Sequence, residues 1–246
     1  MEELLGISNS GFSFTDTYLK DINSLIDYVN SNPNEVTTYI GIQNSICDPS
    51  RVRMIVPFLR NISVIDDSLF EENNGQFVLK KLFTRSSKAF IKACEVHKLI
   101  VDLEDQEPKK KWRKMFRLIL MEKYLHELCI KKPEYIEFIK FLLKNDSIDK
   151  FEFFVLTTMQ FNGVRRLFSC NSIDDVVAKY RAYGIDETLY TYKTNINCYS
   201  YIMAVLCDFN VCIKSEKKFV LINKERLSEL LEDLLWMEKF WTKLMN

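Results

Sequence analysis

Glycine and proline are scarce in this chain, six and five in 246 residues. That scarcity excludes collagen-like and Pro/Gly-rich low-complexity proteins. Net charge is absent too: 34 Lys and Arg balance 34 Asp and Glu. A disordered tail needs high net charge and low hydrophobicity, and a histone-like protein needs bulk positive charge, so neither fits. Any contact with nucleic acid therefore has to come from local patches. Long apolar runs are missing: a stretch such as Tyr201–Cys207 falls far short of the roughly 18–20 residues that cross a bilayer. The opening Met1-Glu2-Glu3-Leu4-Leu5 lacks the basic and apolar regions of a secretion signal, so no membrane is expected and the cytoplasm is the expected compartment. Histidine is nearly absent (His97 and His126), and the seven cysteines form no Cys-x-x-Cys pair, which leaves the chain poor in zinc ligands. Reduced cysteines serving as small hydrophobes are the expected state, and no cofactor is expected.

What is present is apolar side chain, at 47% of residues, enough for a sizeable core in one to three modules. The periodicity predicts mostly helix broken by short β pairs. A first helix is expected over 17–30, with Leu19, Ile22, Leu25, Ile26 and Val29 on one face. A short second helix is expected over 35–42. Asp48-Pro49 reads as an N-cap with proline in the first turn, opening a third helix to about Arg60 that Pro57 should bend or shorten. The period then changes. Ile62, Val64 and Ile65 suggest one strand and Gln76–Leu79 a returning one. Three helices followed by a hairpin is the winged-helix arrangement.

The same grammar recurs near the C-terminus. Ser172-Ile173-Asp174-Asp175 opens a helix ending before Gly184, and 197–209 reads as another. Strands at 211–213 and 218–222 flank a turn, and a final amphipathic helix spans 224 to about 244 with Leu227, Leu230, Leu234, Met237 and Trp241 on its apolar face. Leu59-Arg60-Asn61-Ile62-Ser63-Val64-Ile65 aligns without a gap on Leu206-Cys207-Asp208-Phe209-Asn210-Val211-Cys212. Both describe a helix whose last buried leucine precedes a tight exit, with Ser63 and Asn210 at the left-handed position. A diverged internal duplication follows. The expected division is an N-terminal winged-helix module over 1–105, then a helical linker and second winged-helix module with a C-terminal helix over 106–246. An alternative core for the second module, 134–144, 150–160 and 197–209 with 172–183 inserted, stays open.

Three surfaces are candidates for binding. On the third helix, Ser50, Arg53, Pro57 and Arg60 fall off the buried stripe at about 100° per residue, with Arg51 towards the back. Arginine reads guanine bidentately and clamps phosphate. Before the helix at 197, Lys193, Asn195 and Asn197 gather; asparagine pairs with adenine but is also an ordinary cap residue. In 109–117, Lys110, Lys111 and Arg113 stand among Trp112, Met115 and Phe116, a pattern that suits a phosphate backbone or a solvated helix start. A Mg²⁺ nuclease needs an Asp and a Glu-x-Lys on a core strand. Asp208…Glu216-Lys217-Lys218 and Asp102…Glu107-Pro108-Lys109 match in letters only, since one falls on a turn and the other in a polar linker. No phosphate-binding loop or hydrolase motif occurs.

The repeated unit, carried by Arg51–Ile65 with Gln76–Leu79 and by Tyr199–Ile222, resembles the winged-helix DNA-recognition region of type IIS restriction endonucleases. The resemblance covers about half of the chain and lacks the cleavage domain. It implies a non-catalytic double-stranded DNA-binding protein, the recognition subunit of a restriction or anti-phage defence system, with cutting left to a nuclease partner. No small-molecule substrate is evident. Tandem winged helices also serve as protein–protein adaptors in condensin-like ATPase complexes, and the acidic C-terminal helix (Glu229, Glu232, Asp233, Glu238) suits that alternative. A dimeric transcription regulator is a second alternative.

Overall fold

The computed structural model describes residues 1–7, 16–46, 48–70, 75–101, 104–131 and 134–245. The chain is mainly helical with small sheets. In order it forms β1 (Glu2–Leu5), α1 (Asp16–Ser31), β2 (Val36–Thr38), α2 (Tyr39–Ile46) and α3 (Pro49–Asn61). Then follow β3 (Gln76–Val78), α4 (Lys88–Val101), α5 (Gln106–Lys131), α6 (Glu134–Asn145), β4 (Ser147–Asp149) and α7 (Lys150–Phe161). The remainder is α8 (Ile173–Tyr183), β5 (Tyr190–Thr194), α9 (Cys198–Asp208), β6 (Cys212–Ser215), β7 (Lys218–Leu221) and α10 (Lys224–Met245). Some side chains in the long helices, Arg113, Met237 and Trp241 among them, lie outside the described residues. Two compact units result, residues 12–127 and residues 1–11 with 128–246. The division of the chain at 127/128 falls within the residue range of α5, whereas the sequence reading divides the chain at 105/106.

In the unit 12–127, α1 buries Leu19, Ile22, Leu25, Ile26 and Val29, as the periodicity predicts. Asp48 caps α3 by accepting the Ser50 N–H at 2.8 Å, and Pro49 occupies the first turn, where its missing N–H costs nothing. The helix buries Val52, Ile55, Val56, Phe58 and Leu59. It runs on through Pro57 to Asn61. Pro57 has no N–H to donate to the Arg53 carbonyl, and both residues lie on the exposed side of the helix, where a missing helical bond costs less than in the core.

Two expectations for this unit are corrected. The segment read as a helix over 35–42 divides into β2 and α2, because the β-branched Val36-Thr37-Thr38 run suits a strand. Thr38 marks the change, its Oγ1 accepting the Gly41 N–H at 3.1 Å. The hairpin expected between 62–65 and 76–79 does not form; β3 pairs antiparallel with β2, Thr37 opposite Phe77. The cause lies in the helix exit. The N–H groups of Val64 and Ile65 turn back to the Leu59 carbonyl at 2.8 and 3.2 Å, which removes them from any ladder. Ile65 instead bridges Phe83.

In the other unit, β4, β7 and β6 form a three-stranded antiparallel sheet in that order. Ile148 faces Phe219, and Ile213 faces Val220. The sequence reading places no strand between its helices 134–144 and 150–160; Asp146 turns at φ 57 and the chain enters β4 directly. Helices α6, α7 and α9 form near the ranges 134–144, 150–160 and 197–209 named above, and α8 and β5 lie between α7 and α9 in the chain. A parallel pair of β1 with β5 had no signal in the sequence, since its partners lie far apart in the chain. Leu5 fastens β1 to α7 by donating its N–H to Thr158 Oγ1 at 2.8 Å and accepting from Thr157 Oγ1 at 2.7 Å.

Glu152 is a buried charge in this unit, 3% exposed. It completes a capping box with Asp149, and Arg181 of α8 donates to it through Nε and, at 3.1 Å, through Nη2. Paired and hydrogen-bonded on both oxygens, the carboxylate is compensated. Tyr180 donates to Asp149 at 2.6 Å, so α8 is clamped to the start of α7.

The aligned helix exits share one geometry. Ser63 and Asn210 take φ 54 and 64. The Val64 N–H reaches the Leu59 carbonyl at 2.8 Å, and the Val211 N–H reaches the Leu206 carbonyl at 3.1 Å. Both leucines are fully buried. In each unit a three-residue strand pairs antiparallel with a later one: β2, before α2, with β3, after α3, and β4, before α7, with β7, after α9.

Candidate nucleic-acid interface

The outward side of α3 carries Pro49, Ser50, Arg53 and Pro57, all exposed, because Val52, Ile55, Val56 and Leu59 face the core at helical spacing. The three arginines of this helix have separate fates. Arg51 lies back against α1, its Nε 3.0 Å from Asp21 Oδ2, in an ionic contact rather than a directed hydrogen bond. Asp21 is 6% exposed. Burial pushes its carboxyl above the usual range, and Arg51 only partly offsets that. Arg60 is held by Asp67 and lies over the Phe70 ring, 5.0 Å from its centroid. Arg53 is exposed and makes no hydrogen bond or ion pair with the described residues. Ser50 also serves locally: its hydroxyl donates to Asp48 Oδ1 at 2.6 Å, and this bond and the Ser50 N–H hold the Asp48 carboxyl below the usual range.

Lys110 and Lys111 are exposed on the first turns of α5, while the side chain of Arg113 lies outside the described residues. Lys193, on β5, pairs with Glu3 of β1 at 3.2 Å. Asn195 takes φ 48 and offers its carbonyl to the Cys198 N–H at 2.9 Å; Asn197 occupies the N-cap position of α9 without a side-chain cap. Both asparagine side chains are exposed. The structure therefore gathers Ser50 and Arg53 on one helix face, and Lys193, Asn195 and Asn197 at the entry to α9. Arg51 and Arg60 already have partners.

Those partners were not readable from spacing. Asp21 precedes Arg51 by thirty positions, and Glu3 meets Lys193 across a parallel strand pair. In the two nuclease-like letter matches neither glutamate lies on a strand: Glu216 takes φ 53 in the β6–β7 turn, and Glu107 lies in the first turn of α5, while Asp102 lies outside the described residues. Among the described residues no group of three or more His, Cys, Asp or Glu could hold a metal ion, and no helix is long and apolar enough to cross a membrane. Burial raises the thiols of Cys94, Cys129 and Cys212 to about 12, which suits packing rather than nucleophilic chemistry. No family model, no curated protein and no solved structure matches the chain.

Proposed function

We propose that the chain is a sequence-specific double-stranded DNA-binding protein, non-catalytic in itself, with each unit a winged helix. The observation that carries this reading is Arg53, exposed and without a partner among the described residues, on the outward side of the third helix of its unit. A recognition helix offers base edges such a side chain, and a bidentate arginine–guanine contact discriminates by about 1–3 kcal/mol. Element order supports the winged-helix assignment, most fully in the unit with the β4–β7–β6 sheet. Lys110 and Lys111 supply phosphate contacts, and Asn195 and Asn197 supply polar contacts at the entry to α9. Arg51 and Arg60 position α3 instead of touching DNA, since Asp21 and Asp67 already engage them. The role as recognition subunit of a restriction or anti-phage system, with a separate nuclease, rests on the family resemblance.

Selection from a randomised duplex library with the full chain tests specificity. The expected result is an enriched motif containing a guanine whose preference relaxes with Arg53→Ala. Recovery of unenriched sequence would reject sequence-specific reading. A protein–protein adaptor role has one observation in its favour: Ile213 and Ile222 are 49% and 48% exposed beside the β6–β7 pair. An adaptor would copurify with its ATPase partner and ignore duplex DNA.

A further inference from the structure

A stretch of the chain with charge of one sign lies outside every surface considered so far. Between Glu72 and Glu95 there are five cations and no carboxylate. Within it the fold separates charge from core. Leu79, Leu82, Ser87 and Phe90 are buried, while Lys80, Lys81, Arg85, Lys88 and Lys92 are exposed. Two of the five are occupied, Lys80 by Asn34 Oδ1 at 3.2 Å and Lys92 by Glu95 at 3.0 Å. Lys81, Arg85 and Lys88 make no side-chain hydrogen bond or ion pair with the described residues. Their backbone is fixed to the exit of α3. The Asp66 N–H reaches the Leu82 carbonyl at 3.0 Å, the Thr84 N–H reaches the Val64 carbonyl at 3.0 Å, and Thr84 Oγ1 donates to the Ser63 carbonyl at 2.7 Å. Three like charges within eight residues of the chain repel one another, and a polyanion relieves that repulsion.

We propose that Lys81, Arg85 and Lys88 form a phosphate-backbone contact surface for duplex DNA, fastened to the same helix exit that ends α3. This rests on the DNA-binding reading above and adds a non-specific anchor to it. A lipid surface is the poorer fit, because membrane-binding segments expose apolar residues beside their cations, and here the apolar Leu79, Leu82 and Phe90 are buried. Each phosphate neutralised by a cation contributes about 0.9 to the slope of log affinity against log salt.

The test is a titration of the full chain against a fluorescent 20-base-pair duplex between 50 and 200 mM salt, with folding of each variant checked by circular dichroism. Lys81→Gln, Arg85→Gln and Lys88→Gln combined should flatten the slope by about 2.7, so that the unmodified chain loses roughly 40-fold more affinity than the variant over that range. The charge-retaining set Lys81→Arg, Arg85→Lys and Lys88→Arg should keep the original slope. An unchanged slope in the glutamine variant, with Arg53→Ala still weakening binding, overturns the anchor and leaves the DNA-binding reading standing. No duplex binding by the unmodified chain at 50 mM salt overturns both. Tighter, patch-dependent binding to single-stranded RNA or to anionic vesicles overturns the assignment to duplex DNA.

Discussion

Arg51, Arg53 and Arg60 share one helix, yet only Arg53 has no partner among the described residues. For Arg51 the structure also shows what its partner endures. Asp21 is buried deeply enough that its carboxyl lies above the ordinary 3.8, with burial the largest cause and Arg51 opposing it. An acid with a raised folded pKa favours the folded state below its unfolded value, and that contribution is lost as pH rises through the folded pKa. Ionised Asp21 is therefore a cost at neutral pH. Asp21→Asn should melt at or above the temperature of the unmodified chain at pH 7, and this difference should shrink as pH falls towards 3.8. Thermal melts across that range check it; a variant less stable at pH 7 would mean that attraction to Arg51 outweighs burial.

At the scale of the element, the two helix exits are the most informative feature. Asn210 sits at φ 64, a region that asparagine tolerates better than residues without a short polar side chain. Asn210→Ala should cost about 1 kcal/mol, read from chemical denaturation, whereas Asn210→Gly should cost little or nothing. These exits were legible in the sequence because the pattern is local: a buried leucine, a turn residue four positions on, then apolar residues. The buried stripes of α1 and α3 and the Asp48 cap were legible for the same reason. What was not legible is pairing at a distance. β3 was readable as a strand, but its partner β2 lies on the far side of two helices in the chain. β1 and β5 are separated by about three quarters of the sequence and carry no periodic signature strong enough to find them. Of the candidate site, the exposed face of α3 followed from helical spacing. The ion pairs that engage Arg51, Arg60 and Lys193 did not, because tertiary contact alone brings their carboxylates near.

At the scale of the whole molecule, the balance of 34 cations against 34 anions conceals segregation. Cations without carboxylates gather over 80–92, and Arg53 stands apart on α3, whereas the first turn of α8 carries Asp174 and Asp175 and that of α10 carries Glu225. A protein with zero net charge can hold a polyanion only through such local concentration, and the binding it gives must weaken steeply with salt. Sequence preference then has to come from a small number of side chains at base edges. The most direct measurement is fluorescence anisotropy of a labelled duplex carrying the selected motif, titrated with the unmodified chain and with Arg53→Ala at one fixed salt concentration. Saturable binding that weakens about 5- to 150-fold in the variant is the predicted result, the equivalent of losing one arginine–guanine contact. Equal affinity of the two proteins, or no binding by either, would contradict it.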